Sequence, residues 1–164
     1  MREVLTSIEQ EYRRYKKLAE GTFQQTTDTE LVKVPSAEGN SIAMVVWHIS
    51  GNLKSRFTDF LTSDGEKPWR DRESEFGTRT VTRAEMLAKW EDGWGVLFHT
   101  LSELDDGALG RAITIRGEEH SVLQALHRSL AHTTYHVGQI VFLAKSFRAK
   151  DWNSLTIPRG GIRR

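Results

Sequence analysis

The stretch His127–Lys145, HRSLAHTTYHVGQIVFLAK, decides how the chain is read. Leu126, Leu130, Thr133, Val137, Ile140 and Ala144 recur at the 3-4 spacing of an amphipathic helix. His132 and His136 stand one turn apart on the flank of that stripe, beside Ser129 and Gln139. Side chains at i and i+4 project from the same side of a helix, so the two imidazoles are close enough to share one ligand. The SVLQ at Ser121–Gln124 is a capping box that starts this helix, which is expected to run to about Phe147.

Three further helices follow from the same periodicity. Leu5, Ile8, Tyr12, Tyr15 and Ala19 mark one over residues 2 to about 25. Ile42, Val46, Ile49, Leu53, Phe57 and Phe60 mark a second, capped near Asn40 or Ser41 and expected to end near Thr62. TRAE at Thr82–Glu85 is another capping box, and Leu87, Trp90, Trp94, Leu97, Leu101 and Leu104 form the stripe of a third. Between the second and third, SDGEKPWRDRESEFGTRT is charged and aperiodic, and it far exceeds the usual ~2–8 residues between helices. That length permits either a crossover to the far end of a bundle or a lid over a site. Ahead of the last helix, Ala112–Ile115 followed by Arg116–Glu119 predicts a short strand and tight turn, hence a small hairpin. The expectation is an all-α, four-helix bundle forming one domain over residues 1–164, up-down-down-up if the long connection is a crossover. The tail DWNSLTIPRGGIRR is expected to be irregular.

Composition restricts the function classes. The 164 residues are 38% hydrophobic and 27% charged, with a net charge of +1, so no global field draws the chain to nucleic acid or an anionic membrane. Arg13, Arg14, Lys16 and Lys17 are read as a solvated helix face. There is no cysteine, which excludes disulfides, thiolate ligands and a cysteine nucleophile from the chain itself; any thiol chemistry must borrow its thiol. No apolar run approaches the ~20 residues of a membrane span and no signal peptide heads the chain, so a cytoplasmic protein is expected.

Of the six histidines, His127 lies about 180° around its helix from His136, and His99 points away from the stripe of its own helix; both are expected at the surface. His120 falls in the hairpin, where turn packing is the expected role. His48, within MVVWHISGN, borders the apolar face of the second helix as His132 and His136 border theirs, so the three could meet in a cleft between two helices. Three neutral imidazoles match catalytic zinc sites, which keep one position open, and imidazole equally suits nickel, copper or iron. The alternative is three isolated, hydrogen-bonded helix histidines. HTTYH has threonines at 133 and 134 where a zincin helix carries its glutamate base, so a zincin metalloprotease is excluded.

VVWHISGNLKSRF, HRSLAHTTYHVGQIVFLAK and the hairpin ITIRGEEHSV together resemble the DinB-like, or YfiT-like, metal-dependent family, over nearly the entire chain. GNLKSRFTDFLTSDGEKPWRDR with LTIPRG looks like a bacterial branch of it. The resemblance implies an up-down-down-up bundle, often a homodimer, with a divalent metal, zinc or nickel, held by His48, His132 and His136. It further implies a low-molecular-weight thiol as cosubstrate, and so a thiol-dependent S-transferase acting on a small-molecule substrate. The alternatives are a non-catalytic metal-binding bundle and a metal-dependent hydrolase. Trp-rich helix three is a candidate dimer surface unless Trp90 and Trp94 fill the core. Asn52, Arg56, Ser129 and Gln139 continue the histidine sides of their helices, either as helix–helix hydrogen bonds or as ligand-orienting and substrate groups. Trp69 either anchors the long connection over the cleft or packs within its own loop.

Overall fold

The computed structural model describes residues 2–158 and 160–161; Met1, Arg159 and residues 162–164, the last part of the expected irregular tail, lie outside the described residues. Six α-helices and one two-stranded sheet follow in the order α1 (Glu3–Gln25), α2 (Asp28–Val32), α3 (Ile42–Phe57), α4 (Arg72–Glu75), α5 (Arg83–Glu103), β1 (Ala112–Ile115), β2 (Glu118–Ser121) and α6 (Val122–Arg148). The four long helices, α1, α3, α5 and α6, are those marked by periodicity. Both capping boxes read from the sequence are made: Thr82 with Glu85 opens α5, and Ser121 with Gln124 opens α6. Ser41 opens α3 in the same way, with Met44 sulfur accepting from the Ser41 N–H.

The second helix stops earlier than its apolar pattern predicts. It ends at Phe57, with Thr58 as C-cap, because Asp59 takes φ 48, a left-handed conformation that a helix cannot continue through. Phe60 is nevertheless 6% exposed, with its ring 5.1 Å from that of Phe57, so it extends the stripe without extending the helix. Two short helices, α2 and α4, had no periodic signature.

Burial follows the stripes. Tyr12, Phe23, Phe57, Trp90 and Trp94 are among the largest fully buried side chains, with Tyr12 edge-on to Trp94 and Phe23 edge-on to Trp90. Because both tryptophans are 0% exposed, they fill the core and offer no surface to a second chain. The helices are tied by bonds at defined heights. Thr100 Oγ1 donates to Phe57 O between α5 and α3, and Tyr12 Oη donates to Leu126 O between α1 and α6. Arg2 donates to Leu101 and Leu104 carbonyls at the far end of α5. Gly93 lets α5 approach α3 closely: a Cβ there would sit 2.6 Å from Ser50 Cα.

The hairpin pairs Ile115 with Glu118 across a two-residue turn at Arg116 (φ 55) and Gly117 (φ 76), the positive-φ pair of a tight antiparallel connection. The long connection docks on it. Asp64 accepts from the Arg116 and Gly117 N–H groups at 2.9 and 2.8 Å, and Gly65 N–H donates to Thr114 O at 2.8 Å. Among the described residues, no helix is long and apolar enough to cross a membrane.

Candidate metal centre

His48 comes from the middle of α3, and His132 and His136 from successive turns of α6. His132 Nε2 lies 3.2 Å from His48 Nε2 and 3.2 Å from His136 Nε2, and one nitrogen from each of the three rings falls within 4.8 Å of the others. Two of the three rings are held from behind. His48 Nδ1–H donates to Glu75 Oε2 at 2.8 Å, and His136 Nδ1–H donates to Gln139 Oε1 at 2.8 Å. Gln139 therefore orients a histidine, one of the two roles its position allowed.

Those two bonds fix the tautomers and create a conflict at the centre. With both Nδ1 protons committed, His48 and His136 turn Nε2 lone pairs inward. His132 Nε2 carries at most one proton, so it can donate to one of them and leaves the other lone pair without a donor. A cation at the point of convergence removes the conflict. Four ligands around an ion at ~2.0–2.1 Å lie about 3.3 Å apart, so the two 3.2 Å separations suit one ion, and an imidazole backed by a carboxylate is a recurrent ligand arrangement. The three histidines could hold a metal ion.

Electrostatics keep the cluster ready to bind. Burial, then the neighbouring His136 and His48 rings and the Arg70 and Arg56 guanidinium groups, lower His132 to about 3. Burial also lowers His136, against the opposing hydrogen bond to Gln139. His132 is therefore neutral at physiological pH, the form that donates a lone pair. Burial alone would raise the Glu75 carboxyl, but hydrogen bonds from His48 and Arg70 outweigh it and hold Glu75 ionised.

Glu75 was not legible in the sequence, and it carries much of the arrangement. It is 5% exposed, at the end of α4, and receives Arg70 Nε at 2.8 Å and Nη2 at 2.9 Å as well as His48. Gly51 makes room for it, since a Cβ there would lie 2.0 Å from Glu75 Oε1. Phe76, the next residue, sets its ring 4.8 Å from that of His48. His48, expected at the border of its helix face, is consequently 4% exposed: the long connection folds over it. The only sequence signal was that a connection of such length needs a reason to exist.

A cavity of about 430 Å³ opens on the histidines, lined among others by Asn52, Arg56, Arg70, Phe76, Ile115 and Ser129. Asn52 and Ser129 thus border a cavity rather than only a neighbouring helix, and the buried Ser129 Oγ lies beside the Tyr12 hydroxyl. Arg56 bonds to Gly65 O and Glu66. Trp69 is 55% exposed, so it anchors nothing over the cleft. The other histidines stay apart. His99 and His127 are exposed, and His120 bridges Glu118 O and Arg128 within the hairpin region, as expected of turn packing.

Comparison with known proteins agrees with the fold and leaves the chemistry open. A conserved protein from Enterococcus faecalis has a crystal structure that superposes with a TM-score of 0.66 at 16% identity, covering 88% of this chain and 96% of that one, a likeness of fold alone. No functionally curated protein matches the sequence. A family model described as "Protein of unknown function (DUF1572)" matches residues 1–161, nearly the whole chain, which therefore belongs to the DUF1572 family.

Proposed function

We propose that His48, His132 and His136 bind one divalent ion, zinc or nickel, and that the chain is a metal-dependent enzyme using a low-molecular-weight thiol, an S-transferase in reaction type. The observation that carries the reading is the convergence of three Nε2 atoms, two of them on rings whose outer nitrogens are fixed by Glu75 and Gln139, beside a cavity large enough for a small molecule. When bound, such an ion supplies an open position that lowers the pKa of a thiol, which a chain without cysteine needs from outside. The protein's own groups do the rest. Glu75 and Arg70 hold the His48 ring, Gln139 holds the His136 ring, and Phe76 screens the His48 face from water.

Two alternatives are weaker. A purely structural metal site has no use for an open cavity beside its ligands. A hydrolase needs a proton shuttle, and among the described residues no carboxylate lines the cavity. The DinB-like kinship belongs to this proposal, as does the up-down-down-up, single-domain bundle over residues 1–164. That topology is supported by the order of contacts. Ser50 meets Gly93 and Phe57 meets Thr100, so α3 and α5 run the same way. Arg2 meets Leu104 and Lys16 meets Glu91, so α1 and α5 run oppositely. Tyr12 meets Leu126 and Gln25 meets Asn153, so α1 and α6 share a direction. A homodimer rests on the family resemblance without the tryptophan surface, and sedimentation decides it.

The test is cobalt substitution followed by a panel of low-molecular-weight thiols. The proposal expects a sulfur-to-metal charge-transfer band with at least one thiol, lost in His136→Ala. If no thiol perturbs the cobalt spectrum, the transferase reading fails and a structural metal site is favoured.

A further inference from the structure

The charge around the cavity is one-sided. Among the described residues, five guanidinium groups line it, those of Arg56, Arg70, Arg72, Arg116 and Arg128, and no carboxylate does. Arg70 is committed to Glu75 and Glu66, and Arg72 pairs with the 89%-exposed Glu73, which offsets little charge in water. Glu66 alone serves both Arg56 and Arg116. Among the described residues, the hydrogen-bond partner of Arg128 is the hairpin imidazole of His120, which brings no negative charge. A chain whose net charge is only +1 therefore concentrates a cationic surplus in one cavity.

We infer that this cavity recognises a small molecule through an anionic group, a carboxylate or a phosphate, held by Arg56, Arg116 and Arg128, with the remainder of the molecule directed at the three histidines. This names the substrate class for the metal-dependent reading and rests on that reading only for what happens at the histidine end. The dimensions suit a small molecule. Arg128 is one turn from His132 along α6, about 6 Å, and Arg56 is eight residues from His48 along α3, about 12 Å. A guanidinium fork matches the paired oxygens of either anion, and two or three around one site discriminate strongly against a neutral isostere.

The experiment is calorimetric titration of the metal-free chain, at mildly alkaline pH so that the histidines are neutral, with inorganic phosphate, succinate and uncharged succinamide. At least one anion binds, more weakly as salt is added, and succinamide does not. Arg116→Gln combined with Arg128→Gln, both at exposed positions, weakens that anion at least about tenfold, with urea denaturation confirming that the variant folds. Phosphate binding alone marks a phosphoester class, and succinate binding alone a carboxylate class. If neither anion binds, or if the double variant binds as tightly as the parent, the inference is overturned. His136→Ala separates it from the metal reading. That variant loses metal uptake and keeps the anion if both hold; metal uptake by the parent without anion binding sinks this inference alone, and anion binding without metal uptake sinks the other.

Discussion

Replacing Glu75 by glutamine removes one charge and almost no volume from behind the three histidines. Glu75 fixes His48 through a 2.8 Å bond to Nδ1 and balances the Arg70 guanidinium, whose side chain is 2% exposed. Glutamine can present either oxygen or nitrogen to His48 Nδ1, so the preference for an inward Nε2 lone pair is lost. Loss of such a supporting group typically weakens metal binding about 10–100-fold, or ~1.4–2.8 kcal/mol. Stability falls as well, because Arg70 keeps only Glu66, at 3.6 Å. Full removal of one partner from a buried pair costs about 3–5 kcal/mol, and the isosteric amide should cost less. The assay is competition for zinc against a chromophoric chelator, with urea denaturation of the same metal-free samples. Glu66→Gln is the control, since Glu66 contacts Arg56, Arg70 and Arg116 but no histidine, so it should lower stability with far less effect on metal affinity. If Glu75→Gln folds and binds zinc within about twofold of the parent, the positioning role argued for Glu75 is wrong.

Gly93→Ala should destabilise by about 1–3 kcal/mol in urea denaturation, because its Cβ would lie 2.6 Å from Ser50 Cα and neither helix backbone can yield cheaply; an unchanged midpoint would refute the close α3–α5 approach. Metal-free protein should lose stability as pH falls below 6.5. The lowered His132 and His136 stay unprotonated in the fold while the unfolded chain, with an ordinary value near 6.5, takes up protons. The histidine contribution is thus intact above 6.5 and is lost progressively toward about 3, with the lowered carboxyls of Glu66 and Glu75 adding to the loss only below 4.5. Urea midpoints that stay flat between 6.5 and 4.5 would contradict the neutral cluster.

What could be read from the sequence was whatever repeats. The stripes of α1, α3, α5 and α6 and the capping boxes at Thr82 and Ser121 are periodic or fixed-offset signals, and they carry His48, His132 and His136 into place because a helix fixes the direction of every side chain along it. The end of α3 was misread because Phe60 returns to the core after the chain has left the helix at Asp59. The five-residue α2 is opened by a capping box, Thr27 with Glu30, but has too few residues to show a period. Glu75 and Arg70 were out of reach for a different reason. One turn of helix has no periodicity, and the side chains meet His48 through a tertiary fold of the connection, which no local spacing encodes.

The central claim is that three histidines bind one ion and leave a position free. Zinc-edge X-ray absorption of the chain reconstituted with one equivalent of zinc tests it most directly. The account predicts three imidazole nitrogens at about 2.0–2.1 Å and one further light ligand that exchanges for sulfur when a thiol is added. A shell of oxygens alone, or four protein ligands that no thiol displaces, would contradict it.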